Sequence, residues 1–491
     1  MTPSPLTSPQ ATAPSPPRQA STREIRKVYV GMMVVLGLSA LDQSIVSTAL
    51  PRIVAELGGL SHLSWVVTAY VLASTSTMPL YGKLSDQFGR RPLILTAIVT
   101  FLLGSALCGM AHSLMQLIVF RAIQGLGAGG FMPLSQIIIG DLVPPAQRGR
   151  RQGGIAAVYA VCSVLGPILG GVITGMLSWH WIFYINLPLG IAAVMIMTRA
   201  LPRKQTGHAA RIDYLGSLLL TGGTTAFLLV LALGGVAWAW ASPQITALAA
   251  LTAAIAMMFV WHVRRIEDPV LPLDLFHNRL FVVACAVMAL TFMGLLGASV
   301  FFPLLFQLVM GVSPARSGLL TGPLMIGVVL SSVFNGRVLL RSGRYKPAQV
   351  AGLAGAVLAF ATVAWSIATA RGLIIIEPAI FALGLGLGLI MPNMTIAVQN
   401  ALPGARRGVG TAMLAFFRSL GGLVGVTGSG AMLARQLHAS TGGDLSAHIA
   451  MVSVYRQAIG SIFMLGTAIV AVAFVLLLTL PELPLRAHTP D

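Results

Sequence analysis

Asp42 lies in LDQSIVSTALP, residues 41–51, within a run from Val28 to Ala49 that has no other acidic or basic residue. A carboxylate there can take up and release a proton. An ionised side chain at that depth costs about 3 kcal/mol or more unless it is paired, hydrated or protonated, so an acid inside a membrane span is a functional candidate by default. A permanently protonated Asp42 that only packs helices is the competing reading. Two cations sit in equally apolar surroundings, Arg121 in LIVFRAIQGLGAG and Arg418 in FFRSLGGLVG. If the first helix starts near Val28, Asp42 lies about 21 Å from the inner face at 1.5 Å per residue. Arg121, on a helix running the other way, lies at roughly 18 Å in a core about 30 Å thick. The depths nearly coincide, which makes Arg121 the expected partner of Asp42. A nearby cation and desolvation act on a carboxyl in opposite senses, so a site that opens and closes to water is expected to bind and release a proton in step.

These residues need a membrane scaffold to position them. The chain has 491 residues, 56% hydrophobic and 9% charged, against about 25% charged in soluble proteins. Apolar runs of about 20 residues, enough to cross the hydrocarbon, recur fourteen times, at 28–49, 64–83, 92–111, 114–138, 153–177, 181–199, 214–234, 244–263, 280–308, 317–338, 348–368, 373–398, 408–433 and 458–480. The fold class expected is an all-α polytopic membrane protein. With both termini cytoplasmic, only Arg52, Arg316, Arg371, Arg435 and Arg456 of the 31 lysines and arginines fall outside, as the positive-inside rule requires. The net charge of +18 then reads as topology and contact with anionic lipid, and nucleic acid is not expected as a partner. Cys108, Cys162 and Cys285 fall inside helices and suggest neither disulfides nor a metal cluster; no cofactor is expected.

GLGAGGFMP at 125–133 is matched by GLGLGLIMP at 384–392, and GKLSDQFGRR from Gly82 by GRVLLRSGRYK from Gly336. Both matches have a register of eight helices. Two six-helix bundles, 28–200 and 280–480, with an inserted pair at 213–263, satisfy that register. Residues 264–279 read as an interfacial connector, and 1–27 and 481–491 as cytoplasmic tails. Repeated bundles rocking about a central site are a common transporter design. The repeats differ in charge: Asp86 corresponds to Leu340, Arg121 to Ile380, and the ninth helix has no acid.

These motifs resemble the major facilitator superfamily, and within it the fourteen-helix drug:proton antiporters of the EmrB and QacA type. GKLSDQFGRRP at 82–92 resembles the superfamily's cytoplasmic loop motif, LIVFRAIQGLGAG at 117–129 its fourth-helix motif, and LGPILGG at 165–171 its antiporter motif. LDQSIVSTALP and WHWIFYINLPLG, at 41–51 and 179–190, resemble signatures of the fourteen-helix group. The resemblance implies a proton-driven exporter of amphipathic or lipophilic compounds working by alternating access, with protons and membrane lipids as its other partners. It also implies a charge latch of Asp86, Arg90 and Asp141, with Gly82 and Gly89 permitting the turn, that holds an outward-facing state. A basic loop that only sets topology is the alternative. Gly166, Pro167, Gly170 and Gly171 would seal the cavity against proton leak, or simply pack closely. Trp65, Tyr70, Gln124, Gln307, Asn393, Gln399 and Arg418 are the candidate cavity-wall groups.

Three signals are discounted. GLGAGG follows an apolar helix and not a strand, so a dinucleotide reading fails its context test. His208 and Asp213 could suggest acyl transfer but sit in a short connector, and the sequon at Asn393 is buried in a helix. A membrane enzyme would need convergent nucleophile, base and oxyanion groups, and none is visible. A dedicated exporter of a lipid, fatty acid or secondary metabolite is the alternative within transport. No sequence signature decides for or against a periplasmic adaptor subunit.

Overall fold

The computed structural model describes residues 22–57, 63–143, 145–201, 213–235, 237–267, 269–342, 344–441 and 448–483. The N-terminal half comprises α1 (Thr22–Leu57), α2 (Leu63–Phe88), α3 (Arg90–Cys108), α4 (Leu114–Ala128), α5 (Phe131–Leu142), α6 (Pro145–Met176), α7 (Trp181–Tyr184) and α8 (Asn186–Ala200). An inserted pair follows, α9 (Tyr214–Leu233) and α10 (Pro243–Val263). The C-terminal half comprises α11 (Arg279–Leu304), α12 (Pro314–Ser342), α13 (Lys346–Ala368), α14 (Leu373–Gly388), α15 (Ile390–Ala401), α16 (Arg407–Thr441) and α17 (His448–Leu478). The all-helical class expected from the sequence holds. Among the described residues the only β pairing is an isolated bridge between Gly234 and Trp238.

Among the described residues twelve helical segments are long and apolar enough to cross a membrane, two fewer than the fourteen expected. The two missing are α2 and α6, of 26 and 32 residues. In α2 the hydroxyls Ser74, Thr75, Ser76 and Thr77 dilute the apolar run, while several side chains of α6 are outside the described set.

Two corresponding spans, one in each half, are broken rods. α4 and α5 form one 29-residue span interrupted at Gly129–Gly130, and α14 and α15 another interrupted at Leu389. Pro133 and Pro392 lie just beyond the breaks; each lacks an N–H and so removes one rung of the helical ladder, a recognised cause of kinks. The glycines of the repeat do the same work in both halves. A Cβ at Gly125 would strike the Tyr70 carbonyl of α2, and one at Gly384 the Leu324 carbonyl of α12. Likewise Gly127 meets Ala97 and Phe101 of α3, and Gly386 meets Gly352 and Ala356 of α13. Backbone-to-backbone crossings of this kind admit only small residues, so the sequence repeat is a repeat of packing.

Within the halves, α1 packs along α6 and α8, and α11 along α16 and α17. The halves meet chiefly through α2 on α16 and α6 on α12. The inserted α9 lies against α2, where the Ser76 and Thr225 hydroxyls are 2.9 Å apart. Asp213 caps α9 by accepting from the Gly216 amide at 2.7 Å, and also accepts from the Val270 amide at 3.1 Å. His262, at the end of α10, is 2.7 Å from the same carboxylate. One buried acid therefore ties both inserted helices to the connector. Burial pushes its carboxyl up, but the His262 hydrogen bond and the Gly216 and Val270 amides outweigh this and hold it below the ordinary value. His208 is outside the described residues, so the partner found for Asp213 is a histidine the sequence pattern did not suggest. It serves as a structural clasp.

Candidate functional site

Asp42, near the middle of α1, is fully buried, and Arg121 on α4 is 1% exposed. Arg121 Nη1 donates to Asp42 Oδ2 at 2.6 Å and to Gln124 Oε1 at 2.7 Å, while its Nε donates to the Val66 carbonyl at 3.2 Å. The other carboxylate oxygen, Oδ1, accepts from Gln124 Nε2 and from Asn186 Nδ2, both at 2.9 Å. Asn186 also donates to Ser105 Oγ at 2.9 Å, and that hydroxyl donates to the Phe183 carbonyl. The guanidinium carbon lies 4.2 Å from the centre of the Tyr70 ring, whose hydroxyl is 2.9 Å from Ser39 Oγ.

Residues from α1, α2, α3, α4 and α8 thus enclose one carboxylate, all within the N-terminal half. The three side-chain donors to Asp42 suit an anion, because each aims a hydrogen at a lone pair. The Asn186 Oδ1 atom is buried without a hydrogen-bond partner.

The depth comparison from the sequence brought Asp42 and Arg121 together correctly. Gln124 and Tyr70, named as candidate cavity-wall groups, are fully buried against the ion pair. Asn186 was missed as a site residue, although it lies in the quoted WHWIFYINLPLG stretch. The same depth rule would have found it: fourteen residues before the end of α8 puts it about 21 Å from the inner face, level with Asp42.

Other candidates fall elsewhere. Asn393 and Asn335 exchange two amide hydrogen bonds of 2.9 Å, fully inside the C-terminal half. Gln399 of α15 donates to the Gln136 carbonyl of α5 at 3.0 Å, bridging the halves. Both were expected on the cavity wall and are buried instead. Gln307 lies in a π-helical turn, Leu305–Val309, and donates to Ser317 at 3.3 Å. Trp65 and Gln307 are half-buried. Arg418 is also partly exposed; its Nη1 lies 3.6 Å from Met391 Sδ and its guanidinium 5.3 Å from the Phe292 ring.

At the end bearing the basic loops, Arg90 donates through Nη1 to Asp86 at 2.6 Å and to Ser85 at 2.9 Å, and through Nε to Asp141 at 2.9 Å. Asp86 Oδ2 accepts from the Val409 amide of α16 at 2.9 Å. Gly82 lies against Gly408 and Val409 of the same helix. Gly89, with φ of 89°, makes the turn into α3 in a conformation that favours glycine. Burial pushes the Asp86 carboxyl above its ordinary value, against the opposing pull of Arg90 and of the Val409 amide. The three charges thus join α2, α3 and α5 within one half and reach α16 of the other.

In α6, Gly166 abuts Ser44 and Gly170 abuts Thr48 of α1, so these two form a close seam. Gly171 faces open space, with nothing within 4 Å of a Cβ built there, and does not join that seam. The side chain of Pro167 is outside the described set. Among the described residues no cluster of His, Cys, Asp and Glu could hold a metal ion.

Comparison with known proteins agrees with this architecture. The family model described as Major Facilitator Superfamily matches residues 32–426. Multidrug transporter protein MdtP of Bacillus subtilis is 39% identical over 409 residues, spanning 83% of this chain and 75% of that protein. Multidrug resistance protein 3 of the same organism is 36% identical over 411 residues, spanning 84% and 79%. Among solved structures, the human organic anion transporter MFSD10 superposes with a TM-score of 0.66 at 17% identity, covering 93% of this chain and all of that one. A proton:xylose symporter, XylE, superposes at 0.64 with 15% identity, covering 94% and 97%. The duplicated helical halves, the buried charge site and the family match together place this chain in the Major Facilitator Superfamily, as a multi-pass membrane transporter and not an enzyme.

Proposed function

We propose that the protein is a proton-coupled exporter of amphipathic or lipophilic compounds, with Asp42 as the coupling group. The observation that carries this reading is the cage around Asp42: an ion pair fully inside the membrane domain, completed by Gln124 and Asn186. Buried ion pairs are weak stabilisers, since apolar replacements are often neutral or better, so a pair kept at such depth argues for a working role. The names of the relatives, a multidrug transporter and a multidrug resistance protein, support drugs or drug-like amphiphiles as cargo, and we assign the chain to the drug:proton antiporter group on its motifs. The basic end is read as cytoplasmic, with both termini on that side. Asp86 on Val409 and Gln399 on Gln136 then close the cytoplasmic side in an outward-facing state, and breaking them would open it.

In the proposed cycle, a proton entering from outside neutralises Asp42, releases Arg121 and lets the bundles rock; substrate loading from the inside accompanies its loss. The test is efflux from proteoliposomes under an imposed pH gradient, with proton movement followed by a trapped pH dye. Asp42→Asn should abolish gradient-driven efflux while expression and folding persist. Unchanged efflux by that variant sinks the proposal. A dedicated lipid, fatty acid or secondary-metabolite exporter is the second reading, favoured by the partly exposed cation Arg418. Proton release stimulated by a fatty acid but not by a cationic dye would select it.

A further inference from the structure

The first turns of α1 and the last turns of α8 form a groove of about 580 Å³ lined by Arg23, Arg26, Lys27, Val30, Ala192, Met195, Ile196, Arg199 and Ala200. We propose that this groove is a binding site for one anionic phospholipid, with the headgroup phosphate among Arg23, Arg26, Lys27 and Arg199 and an acyl chain along Val30, Met195 and Ile196.

The spacing on both helices makes the groove. Arg23, Arg26, Lys27 and Val30 recur at i, i+3, i+4 and i+7, and Ala192, Met195, Ile196, Arg199 and Ala200 at i, i+3, i+4, i+7 and i+8, so each set forms one helix face. The two faces meet at Gly31, where a Cβ would strike Ile196 and Met197. The four cations and Val30 and Met195 are exposed. Along each helix the order is the same: charge at the end bearing the basic segments, apolar surface towards the bundle middle. That gradient matches a phospholipid lying along the protein, headgroup at the interface and chain in the hydrocarbon.

Charge decides which lipid fits. Among the described residues no acid lines the groove; Glu24, in the same turn of α1, is not among its lining residues. The segment preceding α1, residues 1–21, contains Arg18 and no acid, so it has nothing with which to neutralise the four cations. A zwitterionic headgroup brings its own cation into the cluster, whereas an anionic one does not. Positive residues at the interface each attract anionic headgroups, and the N-terminus of α1 adds its dipole to theirs. Two other grooves lack this combination. One of about 640 Å³ along α12, α13 and α14 has a single cation, Arg337. In another, of about 530 Å³ on α10, the guanidinium of Arg265 is already stacked 4.0 Å from the Trp261 ring.

Occupancy would brace the start of the helix that carries Asp42 against the helix that carries Asn186. The inference rests only on the chain's membership of a membrane family and on this groove, and stands whether or not Asp42 couples protons. It is tested on the full-length protein purified in neutral detergent, by native mass spectrometry with titrated dioleoyl phosphatidylglycerol and dioleoyl phosphatidylcholine. The wild type should retain one phosphatidylglycerol at least about tenfold more tightly than phosphatidylcholine. The triple variant R26Q/K27Q/R199Q, altered only at exposed positions, should lose that preference. The variant R264Q/R265Q should keep it, and Val30→Trp, which fills the apolar part and leaves the charges, should weaken retention of the lipid. Equal retention of the two lipids by the wild type, or equal loss in R264Q/R265Q, would overturn the proposal in favour of diffuse attraction. Displacement by excess inorganic phosphate with the acyl contact irrelevant, seen as an unaffected Val30→Trp, would overturn it in favour of a free-anion site.

Discussion

Neutralising one member of the Asp42–Arg121 pair should harm the fold more than neutralising both. In Asp42→Asn the guanidinium of Arg121, 1% exposed, loses its only acidic partner among the described residues and keeps the Val66 carbonyl and Gln124 Oε1. Removing one partner of a buried pair costs about 3–5 kcal/mol because the other charge stays buried uncompensated. The replacing amide keeps one carbonyl oxygen in place, so the lower end, about 3 kcal/mol, is expected. Arg121→Gln should cost a similar amount by leaving Asp42 with Gln124 and Asn186 alone. The double variant buries no charge, and its amides can still pair with each other and with Gln124. It should recover to within about 1 kcal/mol of the wild type, yet remain unable to couple transport to a pH gradient. The measurements are apparent melting temperature in detergent and gradient-driven efflux from proteoliposomes. A double variant no more stable than either single one would refute the charge-balance reasoning. Restored coupling in the double variant would refute the assignment of the pair to proton movement.

Asp86→Ala removes the charged acceptor of the Val409 amide, worth about 1.5–3 kcal/mol, and should raise the labelling rate of a cysteine placed at Ala412; the native cysteines are buried and give little background. An unaltered rate would show that this contact does not hold the two halves together. Gly166→Val, which collides with Ser44, should destabilise by about 2 kcal/mol or more, whereas Gly171→Ala faces open space and should be neutral or up to about 1 kcal/mol stabilising; equal effects in a thermal-shift assay would contradict the seam as described. The folded Asp213 carboxyl is held below its ordinary value of 3.8, so its clasp contributes fully above that value. The contribution is lost as pH falls through the lower folded value, and Asp213→Asn should flatten the acid limb of a stability profile over that window.

The charges were legible in the sequence and the amides were not, for a physical reason. A buried Asp and a buried Arg each carry a penalty large enough to demand a partner, so matching depths was sufficient to pair them. Gln124 and Asn186 carry no such penalty. A buried amide is satisfied as easily by a helix neighbour or a cavity water as by a carboxylate, and only three-dimensional placement distinguishes these. The same ambiguity put Asn393 and Gln399 on a cavity wall, when one closes an amide pair and the other bridges the halves. Glycine spacing carried the repeat because a backbone crossing excludes every larger residue. It overreached at Gly171, where adjacency to Gly170 places the second glycine on a different helix face. The span read at 64–83 is a helix, α2, that is absent from the twelve long apolar segments; its hydroxyls bond back to its own carbonyls, as Ser76 does to Leu72, and so remain compatible with a helix that hydropathy alone ranks low.

The duplication supplies an internal comparison that bears on Asp42. Both halves use the same glycine crossings, α4 on α2 and α3 in one, α14 on α12 and α13 in the other. Yet the position of Arg121 is held in the second half by Ile380, fully buried in a continuous apolar core, and α11, the counterpart of α1, contains no acid. The C-terminal half therefore demonstrates that this scaffold closes around hydrocarbon at the place where the N-terminal half buries an ion pair. Since apolar replacement of such a pair is commonly neutral or stabilising, the fold itself does not require Asp42, Arg121, Gln124 and Asn186 to meet. What the N-terminal half has, and the described residues of the C-terminal half lack, is a buried carboxylate paired with a buried cation, and this asymmetry is what leads us to propose the coupling role for Asp42.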